Sequence, residues 1–370
     1  MVNQQRLIDL FRELVSIDSP SLHERQMCDA IKSKLDSLGI DYYEDNAGEL
    51  IGGNSGNLYA FIDGGLKCEP ILFAAHMDTV MPAHGKKAIV HENGLITSDG
   101  TTVLGSDDLS GVCSIIEALR TLKERGEKFR PVEILFTVSE ETHCMGAFHA
   151  PFDTIKSKEC YVFDLSGDIG VASNKAPTII TYNVSLHGKA AHAAFKPEDG
   201  VHALKCAAEI ITKIRCGKYD GVTVNIGTLN GGTATNVVAE NAVFTGEVRS
   251  FDDCLAQKKL SEIIDIINTT AESYGAKVEI KTEQCVSAYN VDENHPVCVR
   301  FKNICKKQGL ECSIVETYGG SDNNQFFPKG INGLVVSCGM NNCHSCDEYT
   351  TVDHLTKSAE LALGLMCSED

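Results

Sequence analysis

The stretch PILFAAHMDTV, residues 70–80, decides how the chain is read. Its apolar run, Ile71 to Ala75, is short and does not alternate with polar residues. That pattern fits a strand buried on both faces of a sheet. The run ends in His76 and Asp78, two polar side chains at the tip of a buried element. Similar short runs recur as NLYAFI (57–62), PVEILFTVSEET (131–142), ECYVFDLSG (159–167) and INGLVVSCGM (331–340). Between them LSGVCSIIEALRTLKERG predicts a helix from about Leu109 to Arg125 that stops at Gly126. Strand–helix–strand order implies an α/β layer architecture.

Residues 3–39 read as two helices. In the second, Ser21 with Glu24 three residues on has the form of a capping box, and Gly39 marks its end. The middle of the chain differs. PTIITYNVSLHGK (177–189) sets Ile179, Thr181, Asn183 and Ser185 against Ile180, Tyr182, Val184 and Leu186, a period-two pattern of a half-exposed antiparallel strand. A helix near 199–214, two strands, a helix near 255–275 and a last strand follow. The order β-α-β-β-α-β reads as a ferredoxin-like α+β module. It interrupts the first domain, because the α/β pattern resumes at HPVCVRFKNICKKQG (295–309). The expected division is a first domain of 1–175 and 290–370, with 176–289 inserted.

Composition narrows the function. The 370 residues carry a formal net charge of −18, which argues against nucleic acid, whose phosphates require a basic face, and against anionic membrane surfaces. No apolar run approaches the roughly 20 residues of a membrane helix. The N-terminus reads as an amphipathic helix through Leu7, Leu10, Phe11, Leu14, Val15 and Ile17, not as a signal peptide, so a cytoplasmic location is expected. The 16 cysteines mostly sit in apolar or helical runs, such as Cys113 and Cys206, and read as thiols in a reducing compartment rather than as a disulfide framework.

The polar residues at the strand ends carry the chemistry. His76 and Asp78 close one run, Glu140 and Glu141 another, and Asp164 a third; Asp107 and Asp108 precede the helix. In open α/β sheets, sites form outside the carboxyl ends of the strands. Taken singly, these residues are solvated exits or a helix cap. Together on one edge they would repel one another, and one or two metal ions resolve that conflict. Imidazole with carboxylates suits zinc, with cobalt or manganese as alternatives. A paired site needs a second histidine. NNCHSCDEYT (341–350) offers His344 between Cys343 and Cys346, and a redox dithiol or a zinc clip is an alternative reading of that spacing.

HMDTV, GSDDLSG, SEET, VFD and CHSCDE, in that order, resemble the motifs of the di-zinc metallopeptidase family of peptidase T, most closely its peptidase T-like branch. HGKAAHAAFKPEDGVHAL (187–204) and GGSDNNQF (319–326) extend the resemblance over nearly the whole chain. It implies a zinc-exopeptidase-like catalytic domain with a central mixed sheet flanked by helices, interrupted by a lid or dimerisation domain through which a homodimer forms. It implies two Zn2+ per subunit, one held by His76, Asp107 and Asp164, the other by Asp107, Glu141 and His344. Asp107 and Asp108 would be joined by a cis peptide, Asp78 would fix the His76 imidazole, and Glu348 would support the His344 loop. Glu140 would be the general base, with metal-bound hydroxide as nucleophile, and His192 an oxyanion donor. Arg249, Asn236, Gly320 and Ser321 would contact substrate. Leu109 stands where many relatives have lysine, and His143 and Cys144 are read as starting the next turn rather than as extra ligands. The implied activity is hydrolysis of short peptides by a tripeptide aminopeptidase-like enzyme; a dipeptidase, a carboxypeptidase or an N-acyl amino acid deacylase would share the same metal centre. A thiol redox protein using Cys343 and Cys346 belongs to a different class.

Overall fold

A computed structural model of the chain describes residues 1–369. The chain divides into two compact units. The first comprises Met1–Lys175, Asn290–Thr317 and the segment from Ser321 onward; the second comprises Ala176–Tyr289 and Tyr318–Gly320.

The first unit is built on a mixed sheet. Six of its strands run in the order Tyr42–Glu44, Leu58–Ile62, Val132–Thr137, Ile71–His76, Glu159–Ser166 and Asn332–Met340, and Val171–Ala176 continues the sheet beyond them. The last four of the six are mutually parallel, so their carboxyl ends share one edge. Leu58–Ile62 is antiparallel to Val132–Thr137. Every residue of Ile71–His76 and of Val132–Thr137 is buried, which explains runs with no alternation. Phe73 lies 5.8 Å from the ring of Tyr161 and 6.2 Å from that of Phe163. Burying a side chain of this size contributes about 1.5–3 kcal/mol.

The helix Ser106–Arg125 packs on Ile71–His76, Glu159–Ser166 and Asn332–Met340, and it also contacts the helices Gln4–Val15 and Val352–Met366. It ends at Gly126 in the left-handed conformation, φ 62°, where the sequence puts the stop. Its start lies three residues earlier than Leu109, and Asp107 and Asp108 break the helical geometry there. The peptide bond between them is cis. Gly111 lets this helix approach the sheet: a Cβ there would lie 2.4 Å from the Phe163 carbonyl oxygen and 2.5 Å from Asp108 Oδ1.

The second unit is an antiparallel sheet in the order Gly217–Tyr219, Val222–Gly231, Asn241–Ser250, Thr178–His187 and Lys277–Val286. With the helices Ala203–Lys213 and Asp253–Tyr274 it has the ferredoxin-like order expected from the sequence, with Gly217–Tyr219 added as a fifth strand at its edge. Ile180, Tyr182, Val184 and Leu186 face a core with Ile210, Phe244, Ile263 and Ile267, as the period-two pattern requires.

One local reading needs correction, and one element goes unread. The Ser21–Glu24 capping box does not form; the helix Arg25–Ser37 starts without a side-chain cap. A small sheet of Ile89–Val90, Leu95–Thr97 and Tyr349–Thr351 is invisible in the sequence because its strands are two or three residues long.

Gly111→Ala is expected to destabilise the chain by about 1–3 kcal/mol, because the added methyl meets the Phe163 backbone and the buried Asp108 carboxylate. The midpoint of urea unfolding measures it.

Candidate metal centre

The four parallel strand ends deliver most of the site. His76 is the last residue of Ile71–His76, and Asp164 lies near the end of Glu159–Ser166. After Val132–Thr137 the chain turns through Ser139 (φ 52°) into the short turn Glu140–Thr142, and leaves it through His143 (φ 68°) and Cys144 (φ 57°). Three non-glycine residues in left-handed conformations within six positions are costly and uncommon, and such strain collects at functional sites. His344, also left-handed at φ 62°, sits in the loop after Asn332–Met340. Asn341 and Tyr349 exchange backbone hydrogen bonds of 2.9 and 3.0 Å and close the neck of that loop.

Asp107 lies between the two histidines. Its Oδ1 is 3.0 Å from His76 Nε2, and its Oδ2 is 3.3 Å from His344 Nε2. Asp164 Oδ1 is 3.7 Å from His76 Nε2, and Glu141 Oε2 is 3.0 Å from His344 Nε2. Donor atoms of His76, Asp107 and Glu141, and of His76, Glu140 and Asp164, lie within 4.8 Å of one another. Ligand atoms that share one ion at bond lengths of about 2.0–2.2 Å stand about 3–4 Å apart in tetrahedral geometry, so these separations suit cations. Glu141 Oε1 is buried and has no hydrogen-bond partner, an oxygen that a cation would satisfy.

The surrounding residues hold this group in place. Glu348 accepts hydrogen bonds from Gly105 N (2.8 Å), Ser106 Oγ (2.6 Å) and Asp107 N (2.9 Å), so it supports the Asp107 turn. His76 Nδ1 is 2.9 Å from the Asp78 carbonyl oxygen and 3.4 Å from its carboxylate. The Asp78 carboxylate accepts from Ser21 Oγ (2.7 Å), Glu140 N (2.9 Å) and Glu141 N (3.2 Å). Asp78 therefore orients the Glu140–Glu141 turn as well as the imidazole.

Without a cation, the charges show the strain of this packing. Burial raises the Asp164 carboxyl well above its ordinary range, and Glu140 adds to the effect. Burial, and then Asp322 and Glu141, raise Glu140 well above its range. The hydrogen bonds to Asp107 and Glu141 push His344 up to about 10. For His76, burial works against the proton but is outweighed by Asp107 and Asp78, and its pKa also rises. Each imidazole is thus drawn toward its charged form by the carboxylates around it.

Two parts of the molecule match family models: residues 57–205 match Peptidase family M28, and residues 175–275 match the M20 peptidase dimerisation domain. A tripeptidase from Staphylococcus aureus is 32% identical, with a TM-score of 0.94 over 99% of this chain and 98% of that one. The aminopeptidase PepT of Bacillus cereus is 33% identical, with a TM-score of 0.89 over the same shares. The chain belongs to the peptidase T-like M20 metallopeptidases. An uncharacterised Bacillus subtilis protein, YqjE, is 32% identical over 99% of both chains.

In this M20 metallopeptidase the expected substrate contacts are divided between the units. Ser321, 2% exposed, is in the first, and its hydroxyl has no hydrogen-bond partner. His192, Asn236, Arg249 and Gly320 belong to the second. His192 is exposed, its ring 4.3 Å from that of Phe195, and its Nδ1 accepts from Ala194 N at 3.2 Å. It lies on a strand bridge with Val237, not at a helix start. Arg249 forks onto Glu247 through Nε (2.8 Å) and Nη2 (3.0 Å), and its Nη1 donates to the Tyr318 carbonyl at 2.8 Å. Asn236 is exposed, and its carbonyl oxygen accepts from Ala193 N at 3.0 Å.

Sequence reasoning missed Asp322 and Lys86. Asp322 is buried, accepts from Thr137 Oγ1 at 2.5 Å through Oδ2, and lies with Glu140 and Cys144 in one donor cluster; burial pushes its pKa up to about 6. The GGSD motif was the available signal. Lys86 is 1% exposed, and its Nζ donates to Thr79 Oγ1 at 2.9 Å. Its stem packs where a Cβ on Gly105 would sit, 3.3 Å away, beneath the Asp107 turn. Cys343 and Cys346 are absent from the donor clusters found among the described residues, and Cys343 Sγ contacts Ser166 Oγ at 3.4 Å.

Burial lowers the Lys86 pKa to about 8, below its ordinary value near 10.5. The unfolded chain then binds more protons between pH 8 and 10.5, so folding gains stability as pH rises through that window. Lys86→Met is expected to stabilise the chain by about 1–3 kcal/mol at pH 7, a gain that shrinks towards pH 10. Denaturation midpoints at the two pH values measure it.

Proposed function

We propose that the chain is a two-metal aminopeptidase that removes the N-terminal residue from short peptides, tripeptides foremost. The observation that carries this reading is the Asp107 carboxylate, whose two oxygens face the Nε2 atoms of two histidines on separate elements. Similarity along nearly the full length to a tripeptidase and an aminopeptidase supports the substrate class.

His76, Asp107 and Asp164 would hold one ion, and Asp107, Glu141 and His344 the other. Their nitrogen and carboxylate donors favour zinc, with cobalt or manganese as substitutes. When bound, such a pair supplies water acidified towards neutral pH and a Lewis acid for the scissile carbonyl. Glu140 takes the proton of the attacking water and passes it to the departing amine. Its neighbour Glu141 is assigned to the metal, which leaves Glu140 for proton transfer. Asp78 holds both the His76 ring and the Glu140–Glu141 backbone in register.

His192 is assigned the developing oxyanion. The hydrogen bond that its Nδ1 accepts leaves Nε2 as the protonated nitrogen, a donor suited to that charge. Arg249, Asn236, Gly320 and Ser321 are assigned to substrate; two guanidinium N–H bonds of Arg249 lie outside its contacts with Glu247 and Tyr318. The dimerisation-domain match supports a homodimer. Sixteen free thiols support a reducing, cytoplasmic setting. No described helix is long and apolar enough to cross a membrane.

The zinc-loaded enzyme, tested against tripeptides, dipeptides and N-acetyl amino acids with product identification, is expected to release the N-terminal residue and a dipeptide from tripeptides. Release of acetate alone, or of the C-terminal residue, would contradict the reading. Glu140→Gln is expected to keep both metals and lower kcat by about 10²–10⁴-fold; metal analysis and steady-state kinetics on one preparation check both.

A further inference from the structure

The segment Ser19–Glu24 has the local pattern of a helix cap, yet its side chains turn elsewhere. Ser21 Oγ donates to Asp78 Oδ2 at 2.7 Å. Glu24 Oε1 accepts from Leu22 N (2.9 Å), Ser139 N (3.0 Å) and Ser139 Oγ (2.8 Å). Leu22 N also reaches Ser139 Oγ at 3.0 Å. Both Leu22 (φ 71°) and Ser139 (φ 52°) are left-handed, and these bonds link the two unusual conformations directly. The segment is tied to the neighbouring strand end by Thr79 N, which donates to the Ser19 carbonyl at 2.9 Å. The following helix Arg25–Ser37 is left without a side-chain cap, a loss of about 1 kcal/mol. Ser139 immediately precedes Glu140 and Glu141, whose backbone N–H groups bond to Asp78. One set of bonds thus reaches the start of the Glu140–Glu141 turn by two routes: Glu24 through Ser139, and Ser21 through Asp78.

We propose that Ser21 and Glu24 are positioning residues for catalysis, bracing the turn that presents Glu140 and Glu141. The inference rests on the metallopeptidase roles given above for those two glutamates. Glu24 is fully buried, and its Oε2 has no hydrogen-bond partner, so all of its bonding passes through one oxygen. A glutamine keeps that acceptor. An alanine removes it and leaves the Ser139 and Leu22 donors unpaired in a buried setting. Ser21 needs only its hydroxyl donor.

The test compares wild type, Ser21→Ala, Glu24→Ala and Glu24→Gln by zinc-binding isotherms on the metal-free chain and by kcat and KM for a tripeptide at saturating zinc. Supporting groups around metal ligands commonly change affinity or activity by about 10–100-fold. Glu24→Ala and Ser21→Ala are expected to weaken one of two zinc-binding steps and to lower kcat, each by about 10–100-fold, with KM within about twofold. Glu24→Gln is expected to restore both. Wild-type zinc binding and kcat in Glu24→Ala would overturn the proposal. So would a Glu24→Gln variant as impaired as Glu24→Ala, because that pattern marks general destabilisation. If Glu24→Ala does not fold, Ser21→Ala decides: unchanged zinc binding and kcat would overturn the proposal. A wild-type chain that binds zinc but leaves tripeptides intact would instead contradict the assigned substrate, and the isotherms would still test the brace.

Discussion

Asp107 sits where two imidazoles converge, and much of the first unit is arranged around that carboxylate. Its two oxygens lie 3.0 Å and 3.3 Å from the Nε2 atoms of His76 and His344. To put it there, a helix begins with a break and a cis peptide, and Glu348 fastens the turn through three hydrogen bonds. Gly111 then lets the same helix lie against the strand that carries Asp164. Packing and site geometry therefore share one constraint.

That constraint is electrostatic. Asp164, Glu140, Glu141 and Asp322 are all raised above the ordinary carboxyl range, with burial the largest cause for each. Carboxylates held this closely are costly unless positive charge accompanies them. His76 and His344 face these carboxylates, and a pair of divalent ions would supply the positive charge they call for. Under the proposed function the same arrangement would serve peptide hydrolysis, with Glu140 left for proton transfer.

The strand ends were legible because burial on both faces writes itself as an unbroken apolar run, and a polar residue closing such a run stands out. His76, Asp164 and the Glu140–Glu141 pair could be read that way. His344 closes no such run: the need for a second histidine pointed to it, its C-x-x-C setting left a redox dithiol or a zinc clip open, and the ordered motifs tied it to strands far upstream. Asp322 was hidden because its partner Thr137 lies 185 residues away. Ser21 and Glu24 misled for the same reason. A local pattern states that a side chain is ready for a hydrogen bond, but not which partner it will find: Ser21 donates to Asp78, and Glu24 accepts from Ser139, 115 residues away, as well as from Leu22. The small sheet that anchors Tyr349–Thr351 was out of reach because strands of two and three residues carry no period.

The central claim is that one carboxylate, Asp107, bridges two ions. Anomalous diffraction at the zinc absorption edge, from crystals of the zinc-loaded chain, tests it directly. The account requires two anomalous peaks, one within bonding distance of each Asp107 oxygen, with His76 and His344 on opposite ions. A single peak, or two peaks that do not share Asp107, would contradict it.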